Sequence, residues 1–338
     1  MVVALVVFLL GTTTYRYSIG QNEKSPFVRI GRVFVAAFRN WRSTPSSIAT
    51  IEETRGFLSD QSSEQFRFLN KALLAPSTHL KGDDCVCIAD VEEAKSVLRL
   101  VPMWVICLTY GVVFAQSSTF FTKQGATMDR TIVSGYEISP ASLQCFIYLT
   151  IIIFLPIYDR IFVPITRAFT RSPSGITMLQ RIGVGFVFHA FAMVVAALVE
   201  VKRLKTAQEY DLVDAPSVTI PISVWWLLPQ YFLFGIADVF ALVGMQEFFY
   251  DQVPTELRSI GVALYYCVFG VGNFLSSFLV SVIEKATGGE GRESWFSNNL
   301  NRAHLDYFYW LLFGLSSVGL AAYLHFASSY VYKRRGTT

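Results

Sequence analysis

The stretch Ile222–Met245, ISVWWLLPQYFLFGIADVFALVGM, is 24 apolar-dominated residues with one ionisable side chain, Asp238, near its middle. About 20 predominantly apolar residues suffice for a helix to cross the hydrocarbon core of a bilayer. A carboxylate at the centre of such a helix costs roughly 2.5–3.5 kcal/mol on insertion scales, so Asp238 is expected to face a polar cavity or a partner rather than lipid. Intramembrane carboxylates bind cations or carry protons, and they also serve as structural pairs for a neighbouring helix. Both readings are open for Asp238 at this point.

Working outward, five further stretches have membrane-crossing length: Val97–Phe121, Ala141–Tyr158, Ile182–Val199, Ile260–Ile283 and Tyr307–Ala327. The composition agrees with a membrane protein. Hydrophobic residues make up 53% of 338 and charged residues only 16%, against a soluble norm of about 25% charged, and the mean hydropathy is +0.43. A net charge of +3, with no basic stripe interleaved with stacking aromatics, argues against nucleic acid as a partner. Of the five cysteines, Cys107, Cys145 and Cys267 fall inside apolar spans, where cysteine acts as a small hydrophobe. Cys85 and Cys87, near His79 and Asp83, have spacing poorly suited to zinc.

A seventh apolar piece, Met1–Gly11, is too short to cross alone and lacks the basic segment and cleavage site of a signal peptide. It reads as the end of a helix whose beginning is absent. The expected organisation is therefore 1–11 as the end of a truncated helix, 12–95 as a linker, 96–332 as six spans and 333–338 as a tail. Lys and Arg number 19 in the linker, the loops on its side and the tail, against 8 in the opposite loops. The positive-inside rule places the linker and tail in the cytoplasm. Trp225 and Trp226, Tyr309 and Trp310, and Tyr330 and Tyr332 sit near span ends, as interfacial aromatics do.

Within the linker, Phe27, Ile30, Phe34, Phe38 and Trp41 recur on one helical face, while Arg29, Arg32, Arg39 and Arg42 cluster opposite. The pattern suits a helix lying on an anionic leaflet and equally one packed on protein. A second short helix is expected around Glu64–Leu74, with Ser43–Ser47 as a flexible break between them.

Several strings are shared in order with a known family: Phe8–Gly11 with Tyr15-Arg16, Phe66–Lys71 (FRFLNK), Val91-Glu92-Glu93 leading to Leu98–Pro102 (LRLVP), and Pro140–Gln144 (PASLQ). So are Tyr158-Asp159-Arg160, Gly175–Gly183 (GITMLQRIG), Pro229-Gln230-Tyr231 through Gly235 with Asp238-Val239-Phe240, Glu247–Pro254 (EFFYDQVP) and His304–Trp310 (HLDYFYW). On these the chain resembles the plant nitrate/peptide transporter family, in the proton-coupled oligopeptide transporter branch of the major facilitator superfamily. The resemblance implies an all-α membrane protein: the C-terminal six-helix bundle of a twelve-helix transporter, preceded by a partial helix and a cytoplasmic linker. In such transporters solute is held near the midplane between two bundles that rock to give alternating access.

The resemblance places Asp238 at an acidic, cavity-facing position that in relatives engages the substrate amine. Many relatives have glutamate there, one methylene longer. Tyr231 and Met245 lie within about 20° of Asp238 on the helix wheel. Gln116, Gln144, Tyr148 and Asn273 are polar groups of other spans that are candidates for the same substrate-binding face, each with a bland alternative as interhelical hydrogen-bond glue. Glu247, about 180° from Asp238, is expected to pair with a basic residue at a cytoplasmic gate. Asp159 and Arg160 resemble the superfamily loop motif that latches that gate. The resemblance implies an aspartate at Ala115 in animal and bacterial peptide transporters and a histidine at Phe114 in a nitrate-transporting relative; this chain has neither, so peptides, nitrate and other small solutes all stay open as substrates.

Gly183-x-Gly185 and Gly270-x-Gly272 lie within apolar spans without a preceding strand, so close helix packing is expected rather than nucleotide binding. His189 and His325 have no partner pattern for catalysis. No enzymatic constellation, cofactor or metal site is expected. The partners implied are the bilayer, a small solute with protons, and an N-terminal bundle absent from this chain. By itself the chain is expected not to transport; the alternative is a truncated, non-transporting membrane protein that associates with or regulates a full-length relative. A seven-segment receptor or channel would need a complete first span. The expected location is a multi-pass membrane protein, with plasma and vacuolar membranes not distinguished.

Overall fold

A helix crossing hydrocarbon satisfies its backbone groups internally, so long apolar helices are the elements to look for. The computed structural model describes residues 11, 26–41, 66–74, 86–133, 135–170, 175–289 and 294–330. Most of the expected terminal stub, the Ser43–Ser47 break and the tail 333–338 lie outside the described residues. The chain divides into two compact units, Met1–Ala94 and Lys95–Thr338.

In the first unit, α1 (Pro26–Arg39) and a 3-10 helix (Arg67–Leu74) are the described elements before α2 (Ile88–Phe114) begins. Val33 and Ala37 of α1, and Leu69 and Ala72 of the 3-10 helix, are buried. Asn40 donates to the Lys71 carbonyl at 2.9 Å, and Lys71 Nζ donates to the Trp41 carbonyl at 2.6 Å, clasping the two elements. Arg29 pairs with Glu93 at 3.3 Å. The expected second helix is thus present as a 3-10 turn rather than an α-helix.

The second unit continues with α3 (Phe120–Ala126), α4 (Cys145–Ile157), α5 (Val163–Thr170), α6 (Met178–Glu209), α7 (Leu228–Asp251), α8 (Arg258–Thr287) and α9 (Leu305–Ser328). Among the described residues, six helical segments have the length and apolarity to cross a membrane: Ile88–Ala126, Pro140–Ala168, Met178–Glu209, Val224–Asp251, Thr255–Thr287 and Leu305–Ser328. α7 packs on α4, α6 and α8, and α6 also packs on α9. The core between them includes Val113, Phe121, Met193, Tyr231, Phe234, Tyr309 and Leu312.

The boundaries differ from the sequence reading in informative ways. The stretch that opened the reading is not helical throughout. Ile220–Ser223 forms β4, which pairs in parallel with β1 (Met128–Asp129), and a 3-10 turn at Val224–Leu227 leads into α7. Pro229 sits in the first turn of α7, where its missing N–H costs nothing. Asp238 becomes the eleventh of the 24 residues of α7, still close to mid-helix. β2 (Thr131–Val133) and β3 (Tyr136–Glu137) form a small antiparallel hairpin after β1. There the Thr131 N–H donates to Asp129 at 3.0 Å and holds that carboxyl below its ordinary range. Helix α6 starts at a capping box: Thr177 Oγ1 accepts from the Gln180 N–H while Gln180 Oε1 accepts from the Thr177 N–H.

Two of the four singled-out glycines set helix separation. A Cβ on Gly272 would lie 2.5 Å from the Gly111 carbonyl carbon, and one on Gly185 would lie 2.5 Å from the Ala241 Cβ. These contacts let α2 meet α8, and α6 meet α7, backbone to backbone. A Cβ on Gly183 would only touch the Tyr323 ring at 3.4 Å, and one on Gly270 would meet nothing within 4 Å.

Candidate functional site

Asp238 is 3% exposed. Its neighbours are set by three helices. The Tyr110 hydroxyl of α2 donates to Oδ1 of Asp238 at 2.7 Å. His189 of α6 stacks on the Tyr110 ring with centroids 4.1 Å apart and meets the edge of Phe234 of α7 at 4.3 Å. Phe186, one turn from His189 on α6, closes on Tyr110 edge-to-face at 5.5 Å. The phenol is thereby wedged between aromatic walls with its hydroxyl aimed at the acid. Among the described residues, Asp238 has no basic partner, and neither ring nitrogen of His189 has a hydrogen-bond partner.

The other polar groups singled out from the sequence fall into separate clusters. Tyr231 is buried on the same helix as Asp238, but it lies against Phe121 at 5.5 Å, with its hydroxyl unpartnered. Gln116 donates to Ser276 of α8 at 2.9 Å and to the Val112 carbonyl at 2.8 Å. Gln144 donates to Thr122 at 3.2 Å. Asn273 is exposed and donates to the Phe269 carbonyl of its own helix at 2.8 Å. Tyr148 is 62% exposed. Among these residues, then, no hydrogen bond links Gln116, Gln144, Tyr148, Asn273 or Tyr231 to Asp238. A further network joins Gln230, Gln124 and Tyr309, through bonds of 3.3 and 3.4 Å to Gln124 Oε1.

At the other end of α7, Glu247 faces Arg181 of α6 at 3.8 Å. The Arg181 guanidinium stacks over the Tyr158 ring at 4.4 Å and donates to the Val239 carbonyl at 3.3 Å. Tyr158 opens a π-helical turn, Tyr158–Phe162, that carries Asp159 and Arg160 between α4 and α5. Asp159, Arg167, Arg181 and Glu247 line a cavity of about 480 Å³ here, with Tyr158 and Thr177. Arg160 is exposed and lies outside that lining.

The sequence reading missed three groups. Tyr110 carries no signal of its own in an aromatic-rich span. Arg181 was recognised as part of a motif but not as the partner of Glu247. Glu200 and Arg203 form a fully buried ion pair with bonds of 2.6 and 2.9 Å, and Arg203 also reaches Asn301 and the Leu300 carbonyl, each at 2.8 Å. That pair lies just beyond Val199, where the apolar span was taken to end. Opposite charges three residues apart after an apolar run were the available signal.

Comparison with known proteins places this architecture. A family model described as PTR2, POT family, matches residues 1–296. The chain is 65% identical over 338 residues to Protein NRT1/ PTR FAMILY 5.10 of Arabidopsis thaliana, covering 100% of this chain and 60% of that protein. It is 56% identical over 338 residues to Protein NRT1/ PTR FAMILY 5.12 of the same organism, covering 98% and 58%. The chain thus spans about 60% of the length of these curated relatives. Among solved structures, the fold is similar to that of the POT family transporter PepTSo, with TM-score 0.63 and 18% identity over 97% of this chain and 63% of the other. An auto-inhibited POT family peptide transporter gives TM-score 0.63 and 18% identity over 99% and 64%.

Proposed function

The chain belongs to the POT family, and from that premise we propose that its six spans form one bundle of a proton-coupled secondary transporter for a small solute. The observation that carries the reading is Asp238: a carboxyl group buried at mid-span, held by the neutral phenol of Tyr110 and lacking a basic partner among the described residues. An anion buried in a low-dielectric site is stabilised by whatever brings positive charge to it. A proton or an ammonium group on the solute supplies that charge. The Tyr110 hydroxyl is then an internal occupant that a cationic group displaces from Asp238 as the helices rearrange.

Alternating access needs two bundles moving about a shared midplane site. The proposal therefore assigns Asp238 to one wall of that site. It assigns the Glu247–Arg181 contact and the Asp159 turn to a latch at the cytoplasmic end. Gln116, Gln144, Tyr148, Tyr231 and Asn273 are retained as candidates for the solute-facing wall in other conformations of the cycle. Alone, the 338-residue chain is proposed not to transport. Proton-gradient-driven uptake by this chain joined to the N-terminal bundle of a close relative, compared with this chain alone, tests the assignment. Uptake only by the joined protein supports it; gradient-independent uptake by either contradicts it.

A further inference from the structure

The linker unit holds a surface with no role in the site above. On α1, Val33 and Ala37 are buried, whereas Phe34, Val35 and Phe38 are exposed, as is Trp41 just past its end, with Phe38 75% and Trp41 69% exposed. The 3-10 helix adds Phe68 and Lys71, which with Phe34, Ala37, Phe38 and Trp41 line an apolar groove of about 550 Å³; Val35 lies outside that lining. Phe38 and Trp41 pack edge-to-face at 6.1 Å. The two bonds joining Lys71 to Trp41 and Asn40 fix one helix against the other, so the aromatic surface is presented as a unit. Residues 26–41 and 66–74 contain five Lys or Arg and no Asp or Glu.

We propose that this aromatic groove is a membrane-docking surface that seats in the headgroup region of an anionic leaflet. Four observations meet in this occupant. The exposed rings are aromatic, the class that partitions into the interface. The two elements carry five cations and no anion of their own, Arg29 being paired with Glu93, and this excess complements anionic headgroups. Six helices among the described residues are long and apolar enough to cross a membrane, and the linker is covalently continuous with them. Val33, Leu69 and Ala72 are buried, and the aromatic side chains Phe34, Phe38, Trp41 and Phe68 are the exposed ones. The sequence pattern alone placed Ile30 with Phe34, Phe38 and Trp41 on one face; the structure leaves Ile30 half-buried and brings in Phe68 from a second element.

The test uses the full 338-residue chain in lipid nanodiscs, with a nitroxide at Phe34→Cys, in the groove lining, and a control label at Glu137→Cys, the native cysteines being replaced. Discs contain either phosphatidylcholine alone or phosphatidylcholine with phosphatidylserine. Accessibility is read with oxygen, which concentrates in lipid, and with a nickel chelate, which stays in water. The proposal expects the label at 34 to be oxygen-accessible and nickel-protected in the anionic discs, with protection lost at high salt and reduced in the Arg39→Glu variant. The label at 137 should not respond to lipid charge. Nickel accessibility at 34 in the anionic discs overturns the proposal. So does protection from both probes, which marks a protein cover, and so does equal docking in neutral discs.

Discussion

The Tyr110 hydroxyl and the Asp238 carboxylate are joined by a 2.7 Å hydrogen bond that ties α2 to α7 at mid-span. Interhelical hydrogen bonds in membranes contribute about 0.6 kcal/mol on average and up to about 1.7 kcal/mol, because the unfolded chain in lipid also finds partners. In a double-mutant cycle with Tyr110→Phe and Asp238→Leu, thermal stability in detergent should show a coupling of about 0.6 kcal/mol or more. Strict additivity would mean that the two groups do not depend on each other.

A second prediction concerns the Glu200–Arg203 pair, which ties α6 to the Leu300–Asn301 loop. Removing one member of a buried ion pair leaves the other uncompensated, at a cost of roughly 3–5 kcal/mol. Arg203→Met should therefore lower the unfolding temperature far more than the double replacement Glu200→Leu/Arg203→Met. Equal losses would assign the effect to packing of the arginine stem.

Helix separation gives a third prediction. A side chain at Gly185 would overlap the Ala241 backbone, and one at Gly270 would enter open space. Overpacking typically costs about 1–3 kcal/mol. Gly185→Val should destabilise the folded bundle, while Gly270→Ala should be close to neutral. Comparable stability of the two variants would contradict the close approach of α6 and α7.

The topology yields a fourth. In a cysteine-free background, a cysteine at Glu137, in the hairpin after the first span, should react with an impermeant maleimide on intact cells. One at Arg39 in the linker should react only after permeabilisation. Reaction at 39 from outside would reverse the orientation drawn from the 19 to 8 charge split.

Span number and class were legible because period and length are local properties: each apolar run declares its own helix. The ends were less so. β4 and the 3-10 turn before α7 arise from pairing with Met128–Asp129, about 90 residues away, which no window over Ile222–Met245 registers. Likewise α6 runs on past Val199 because Arg203 and Glu200 satisfy one another and the Leu300–Asn301 loop. In the site, Asp238 stood out because a carboxylate amid apolar residues is expensive wherever the fold places it. Tyr110 and His189 did not, since an aromatic or a histidine in an apolar span is ordinary until three helices bring them together.

The account's central claim is that Asp238 receives positive charge during transport, and uptake by the chain joined to an N-terminal bundle tests it most directly. The solute should bear an amine, and rates should be normalised to protein at the cell surface. Asp238→Asn should reduce uptake by about tenfold or more, equivalent to losing roughly 1.4 kcal/mol at the site. Asp238→Glu should keep part of it, because the charge survives on a longer stem. Parental uptake by Asp238→Asn would contradict the claim and leave Asp238 as a structural partner of Tyr110.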